Sequence, residues 1–214
     1  MPPLPDSLAC ASWLVYATRA TDESAKRVRD LIIRIKRDRV DSATGTPTVQ
    51  LVVERAVLRL GERFADGFDG QPVLVPVPGA GLSKRNSVWP AQRVCEELVR
   101  QGLGADVLPI VQRTTAVQKS AGNAARPSLE EHVNSFTIQP GLRPPSRIIV
   151  VDDVVTSGTT IMGCAMKLAS AYPGIPISGF ALARVQSAGN PARVLDPASE
   201  RITLDGQRCR RGNG

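Results

Sequence analysis

The chain has 214 residues, 42% of them hydrophobic and 22% charged, which suits one α/β domain with a modest appendage. A formal net charge of +7 at pH 7 and a pI near 9.7 favour a polyanionic ligand, either a pyrophosphate or a nucleic acid, unless the basic surface is only solvated. Only 4% of the residues are aromatic, so stacking platforms for single-stranded nucleic acid are scarce.

The cysteines and the single histidine show no metal-ligand spacing. Cys10, Cys95, Cys164 and Cys209 are far apart in sequence, and His132 has no ligand near it, so no metal held by protein side chains is expected. No apolar run is long enough to span a bilayer, and the first residues lack the basic start of a signal peptide. We therefore expect a cytoplasmic protein with no membrane partner.

The amino-terminal part predicts one strand and two helices. Residues 12–18 are expected to form a short edge strand. Residues 21–39 predict a helix that opens with acids and closes with bases, in accord with the helix dipole. Its outer face, which includes Arg27, Arg29 and Arg34, is either solvated or a surface for nucleic acid. Thr46 and Pro47 start a second helix.

The next segment predicts a strand over residues 73–77, which ends at its prolines or lies at an edge. The loop that follows carries Pro78 and Gly79, which let the backbone approach a ligand, and then Lys84 and Arg85, whose charge suits phosphate oxygens. A flexible basic loop without a ligand is the alternative. A helix over residues 89–100 and a strand over 105–111 complete this segment.

Residues 112–127 show no period, and such a long loop in a compact domain is usually functional or disordered. Ser128 and Glu131 predict a capping box for a short helix, in which His132 is expected at the surface or in a supporting role. A strand over residues 134–138 follows. Near the end, residues 177–184 predict a last sheet strand, and residues 193–195 and 201–204 predict a small hairpin.

Residues 148–160, IIVVDDVVTSGTT, are the most informative stretch. The branched apolar residues predict a strand buried on both faces, and the apolar stripe after Thr160 predicts a helix. Gly158 permits a tight turn, and the unpaired N–H groups at the helix start stabilise a phosphate. Asp152 and Asp153, at the carboxyl end of the strand, can accept hydrogen bonds from a vicinal diol. The stretch therefore predicts a ribose 5-phosphate site.

This stretch resembles the signature of the type I phosphoribosyltransferases at every position. The resemblance implies that Asp152 and Asp153 hold the ribose hydroxyls of phosphoribosyl pyrophosphate (PRPP), which makes them the candidate catalytic residues. It also implies a set of residues around the 5-phosphate, namely Thr156, Ser157, Gly158, Thr159 and Thr160. The implied fold is α/β, with a mostly parallel central sheet flanked by helices and a small hood from the termini.

The same resemblance implies roles for the other loops. The segment with Pro78, Gly79, Lys84 and Arg85 corresponds to the family's pyrophosphate loop, and Lys119 falls in the flexible loop that closes over the site. Magnesium would arrive with PRPP as the only cofactor. This fold often forms pairs, so a homodimer is one expected state.

Outside the signature, the chain is similar to the ComF-like branch, whose members are competence-associated and predicted to be amidophosphoribosyltransferases. The similarity lies in residues 30–36, 75–78, 118–120 and 134–136 and in Arg126. Two features depart from that branch: its amino-terminal zinc ribbon is absent from this sequence, and residues 85–90 replace its Arg-Gly-Phe-Asn-Gln segment.

The expected activity is that of a pentosyl glycosyltransferase, which transfers phosphoribosyl to a nitrogen nucleophile and releases pyrophosphate. The accepting base or amine has no recognisable code in the sequence. Two alternatives stay open: a non-catalytic nucleotide-sensing or DNA/RNA-associated ComF-like protein, and an assembly partner that uses the fold as a scaffold. The expected organisation is an amino-terminal segment over 1–20, the α/β domain over 21–184 and a tail over 185–214.

Overall fold

The computed structural model describes residues 6–17, 23–65, 67–81, 89–117, 127–139, 141, 144–186 and 193–212. A seven-stranded sheet with the order β3-β2-β6-β7-β1-β8-β9 forms its centre. The strands of this sheet are β1 (Ser7–Ala17), β2 (Val73–Pro76), β3 (Asp106–Val107), β6 (Ile148–Val155), β7 (Ile177–Gln186), β8 (Leu195–Asp205) and β9 (Arg208–Gly212). A separate antiparallel pair consists of β4 (Val111–Arg113) and β5 (Phe136–Ile138).

The central sheet is mostly parallel, as predicted. Strands β3, β2, β6, β7 and β1 run in the same direction, and the antiparallel pairings are those of β8 with β1 and with β9. The helices that flank it are α1 (Glu23–Lys36), α2 (Thr48–Leu60), α3 (Pro90–Arg100), α4 (Leu129–Ser135) and α5 (Thr159–Ala171). The α/β fold class is therefore confirmed.

Two hydrophobic clusters lie on the two faces of the sheet, and β6 contributes to both. Ile148 and Val150 belong to the cluster with α4 and α5, whereas Ile149 and Val151 belong to the cluster with α1, α2 and α3. All four side chains are at most 2% exposed. This burial confirms the prediction of a strand covered on both faces, because only such a strand can bury consecutive residues.

The prediction for the amino-terminal strand was wrong in position. β1 is not an edge strand, since it lies between β7, to which it is parallel, and β8, to which it is antiparallel. Consecutive buried residues, Trp13, Leu14 and Val15, fit an interior strand better than an edge strand. The described terminal segments are thus strands of the central sheet rather than a separate hood; the division of the chain at residues 20 and 184 stays a prediction.

The carboxyl-terminal hairpin exists but pairs differently from the prediction. β8 and β9 pair through Arg201 to Asp205 and Arg208 to Gly212, around a turn in which Gly206 has a φ of +60°. Residues 193–195 do not pair with 201–204; instead, Leu195 lies beside Leu14 of β1.

Other boundaries shifted by a few residues. The strand expected over 105–111 divides into β3 and β4, and the strand expected over 134–138 begins only at Phe136 because α4 extends to Ser135. The first helix ends at Lys36, where Asp38 adopts a positive φ of 48°. Within the described ranges, no helix is long and apolar enough to cross a membrane.

Candidate functional site

The loop between β6 and α5 is sharply turned at Gly158. This glycine is the residue that precedes the first turn of α5, and its φ of +89° and ψ of 2° place it in the left-handed region. A residue with a β-carbon is strained there, so the glycine expected from the sequence is required by the backbone. In the part of the chain that the structure describes, the N–H groups of residues 157–160 donate no hydrogen bond. They are therefore unpaired donors at the positive end of α5.

The loop is exposed on one side only. Thr156 is exposed, Ser157 and Thr160 are half-buried, and Gly158 and Thr159 are buried. The hydroxyl oxygens of Ser157 and Thr159 lie 3.0 Å apart. An anion would therefore meet the loop from the side of Thr156, Ser157 and Thr160.

The β8–β9 hairpin covers the other side of the loop. The Ile202 side chain packs so closely on Gly158 that a β-carbon added there would lie 2.5 Å from Ile202 Cδ1. The Cys209 N–H donates to Thr159 Oγ1 at 3.2 Å. Arg211 donates to the carbonyl oxygen of Val155 at 3.3 Å, directly before the loop. The Thr159 hydroxyl, which the signature assigns to the phosphate, thus faces the hairpin.

The two acids lie within β6 rather than in the loop. Asp152 is opposite Ala181 of β7, and the Asp153 N–H donates to Asp152 Oδ1 at 2.9 Å. Loss of water around Asp152 raises the pKa of its carboxyl well above the ordinary value, and the charge of Asp153 adds to the effect. Asp153 Oδ2 lies 3.9 Å from Lys36 Nζ at the end of α1.

A buried arginine that the sequence reasoning missed lies close enough to Asp152 to interact with its charge. Arg113 ends β4, is 3% exposed, and stacks its guanidinium 4.3 Å from the centroid of the Phe136 ring. Its Nε donates to the Gly79 carbonyl oxygen at 2.8 Å, and its Nη1 donates to Ser135 Oγ. Burial lowers the pKa of Arg113 to about 10, and the charge of Asp152 opposes this shift.

Of the two positions expected for His132, the surface one was wrong, because the side chain is 4% exposed; the supporting role stays a prediction. α4 packs against α5 at Gly163, where an added β-carbon would lie 3.1 Å from His132 Cβ. Burial lowers the pKa of His132 to about 4, so the ring is neutral at neutral pH. Its Nε2 lies 3.5 Å from Thr160 Oγ1, while its Nδ1 is buried without a partner among the described residues. The capping box formed by Ser128 and Glu131 at the start of α4 is confirmed.

The expected pyrophosphate loop begins beside the acids. β2 pairs with β6 through Pro76 and Val151, and the Val77 N–H donates to the Val151 carbonyl oxygen at 2.8 Å. Pro78 is buried and Gly79 is exposed, so the loop reaches the surface directly after β2. The remaining predicted residues, Lys84, Arg85 and Lys119, lie outside the described residues.

Comparison with known proteins finds a similarity in structure but none in sequence. No protein-family model matches the chain, and no curated protein matches it significantly. Among solved structures, the chain is similar to a hypoxanthine phosphoribosyltransferase from Staphylococcus aureus, with 12% identity and a TM-score of 0.37. The match covers 68% of this chain and 71% of that chain.

Proposed function

We propose that the chain is a phosphoribosyltransferase-like protein that binds PRPP, or a ribose 5-phosphate nucleotide, at residues 152–160. It would transfer the phosphoribosyl group to a nitrogen nucleophile and release pyrophosphate. The observation that carries the proposal is the junction of β6 and α5, where two carboxylates precede a left-handed glycine and a row of unpaired N–H groups. A phosphate suits the N–H groups, and a diol suits the carboxylates.

The chemistry rests on position and charge. The nitrogen lone pair attacks the anomeric carbon, the bond to the pyrophosphate oxygen breaks with its electron pair, and the nitrogen loses a proton. The transition state resembles an oxocarbenium ion, as in glycoside cleavage. Asp153, paired with Lys36, supplies negative charge near the ribose, and Asp152 orients the hydroxyls. Binding energy from the 5-phosphate, held at the start of α5, can be used at the reacting carbon.

Magnesium would enter with the pyrophosphate. The described residues contain no group of three or more His, Cys, Asp or Glu side chains able to hold a metal. The adjacent carboxylates of Asp152 and Asp153 nevertheless offer the oxygen ligands that a hard cation prefers. When bound, the cation neutralises charge on the leaving pyrophosphate.

The hairpin over the loop supports a second candidate, a non-catalytic protein that senses nucleotides or acts together with DNA or RNA. Contacts from Ile202 and Cys209 bury Gly158 and Thr159, so less of the loop is open than the signature implies. Such a protein would bind the ribose phosphate from the exposed side without transferring it.

Titration calorimetry with PRPP and Mg²⁺ tests the binding site. We expect Asp152→Asn/Asp153→Asn to weaken binding, whereas Asp69→Asn, at an exposed site far from the loop in sequence, should bind like the wild type. Equal affinity in wild type and double variant would remove the ribose role of the acids. Pyrophosphate release with a panel of bases and amines then separates the candidates: binding without release favours the sensor. Salt-dependent binding of duplex or single strands tests its link to nucleic acid.

A further inference from the structure

The backbone after β2 is tied down at two successive carbonyl groups. Arg113 Nε donates to the Gly79 carbonyl oxygen at 2.8 Å, and the Val117 N–H donates to the Ala80 carbonyl oxygen at 3.0 Å. Both tethers come from β4 or from the residues that follow it. The conformation of residues 79–81 is therefore set by another segment of the chain.

These tethers determine where two N–H groups point. The described residues contain no cis peptide bond, and in a trans peptide the carbonyl and the N–H point in opposite directions. Because the Gly79 oxygen faces Arg113, the Ala80 N–H faces away from it. Because the Ala80 oxygen faces Val117, the Gly81 N–H faces away from that residue. Neither N–H donates to another described residue, and Gly79 and Gly81 are exposed.

Successive unpaired N–H groups in a turn can form an anion-binding concavity, and Ala80 and Gly81 lie in a bend of the chain. This one begins at the carboxyl end of β2, next to the strand that carries Asp152. We propose that Arg113 is a positioning residue: together with the Val117 N–H, it holds the loop so that the Ala80 and Gly81 N–H groups face the pyrophosphate of the ligand, which Arg113 itself does not contact. This inference rests on the proposed function, because it assigns the second anion site of the same centre.

Arg113 also belongs to a continuous set of contacts between the two loops. Its Nη1 donates to Ser135 Oγ, which donates to the His132 carbonyl oxygen at 2.7 Å. The His132 ring, stacked on Phe136, reaches Thr160 Oγ1 at 3.5 Å. Arg113 thus contacts residue 79 of the pyrophosphate loop directly, but it is linked to the start of α5 only through Ser135 and His132. The loss of Arg113 should therefore act first on residues 79–81.

The test compares magnesium pyrophosphate with ribose 5-phosphate as calorimetric probes. Arg113→Met should weaken pyrophosphate binding by about tenfold to a hundredfold, because a displaced loop loses one N–H hydrogen bond to the charged pyrophosphate. The same variant should change ribose 5-phosphate binding by less than about twofold. Arg113→Lys keeps a charge and one donor and should retain part of the pyrophosphate affinity. Arg147→Met is the matched control, since Arg147 also donates to two backbone carbonyls, those of Gly67 and Asp69.

Each outcome decides the inference. Unchanged pyrophosphate affinity in Arg113→Met, or an equal loss for both probes, would overturn it. If the wild type binds ribose 5-phosphate but not pyrophosphate, the inference falls and the ribose phosphate site stands. If the wild type binds neither probe, the proposed function falls and takes the inference with it. If Arg113→Met does not fold, Val117→Pro removes the other tether at a half-buried position and should show the same selective loss.

Discussion

Replacement of Gly158 by alanine should destabilise the protein through two separable effects. The first is the left-handed backbone at φ +89°, which costs an alanine about 1 kcal/mol. The second is contact with Ile202, whose Cδ1, Cγ1 and Cγ2 would lie 2.5, 2.7 and 2.9 Å from the new β-carbon. Ile202 is fully buried and branched at Cβ, so it cannot rotate away, and such overpacking costs roughly 1–3 kcal/mol. The expected loss is about 3 kcal/mol.

Urea unfolding of four proteins separates the two effects: wild type, Gly158→Ala, Ile202→Ala and the double variant. Ile202→Ala alone should cost roughly 2–5 kcal/mol because it leaves a cavity. In that background the contact is gone, so Gly158→Ala should cost only the backbone part, which gives a coupling energy of about 2 kcal/mol. Gly174→Ala is the matched control: its φ is +82°, and no atom lies within 4 Å of an added β-carbon. It should cost about 1 kcal/mol.

An equal cost of Gly158→Ala with and without Ile202 would refute the reasoning, because it would mean that the hairpin does not press on the loop. A cost of Gly158→Ala no greater than that of Gly174→Ala would lead to the same conclusion. A coupling near 2 kcal/mol would instead place Ile202 on the loop in solution.

Three further predictions concern stability, each measured by urea unfolding. Burial raises the pKa of Asp152 above its ordinary value of 3.8, so the folded state binds the proton more tightly than the unfolded chain does. The free energy of unfolding should therefore fall as pH rises from 3.8 through the raised pKa. Asp152→Asn should make this fall smaller. Burial lowers the pKa of His132 from 6.5 to about 4, so between these two pH values the unfolded chain binds a proton that the folded state does not. The free energy of unfolding should therefore rise with pH over that interval. His132→Gln should remove the rise. Arg211→Met should cost about 2 kcal/mol, because Glu200 and the Val185 carbonyl oxygen lose their donor.

The controls follow from the same contacts. Asp69→Asn, at an exposed site, should keep the wild-type pH profile, and a profile for Asp152→Asn equal to it would contradict the desolvation of the Asp152 carboxyl. A pH dependence retained in His132→Gln would assign the rise to another group. Glu200→Gln added to Arg211→Met should recover part of the loss, since the remaining carboxylate is then neutral; no recovery would show that the ion pair contributes nothing.

Elements whose pattern is local were predicted well from the sequence. β6 and α3 lie where the apolar runs place them, and the capping box of α4 is formed by Ser128 and Glu131. The reason is that hydrophobic period and caps act within a few residues. The same local reasoning identified Gly158, because a turn from strand to helix with unpaired N–H groups requires a residue that adopts a positive φ.

Elements that depend on distant partners were predicted less well. The position of β1 is decided by its pairing with β7, as between Cys10 and Gly179, and no local pattern contains that information. The tail did carry a local signal for the hairpin: Gly206 and Gln207 form a two-residue turn with glycine at its first position, and Ile202 and Cys209 are the buried positions on either side of it.

The buried charge at Arg113 shows a second limit of sequence reasoning. An arginine at the end of a short strand gives no sign of burial, because its partners are a glycine carbonyl, a serine hydroxyl and an aromatic ring. Arginine forms such mixed sets because its planar fork donates in several directions. The burial of His132 was not predicted for a related reason. The absence of a side chain at Gly163 makes room for His132, and this space forms only when α4 packs on α5.

The hairpin and the buried arginine act on the two candidate anion loops in opposite ways. Ile202 and Cys209 close one side of the phosphate loop, which confines a ligand to the side of Thr156 and Thr160. The tethers from Arg113 and Val117 instead leave two N–H groups of the other loop directed away from the two tethering residues. A phosphate that enters from the open side does not require the hairpin to move, and a ligand with anionic groups at both ends can use both loops. On the proposed function we therefore expect a ribose phosphate with a second phosphate group to bind more tightly than inorganic phosphate alone, since only the larger ligand would engage both sets of donors.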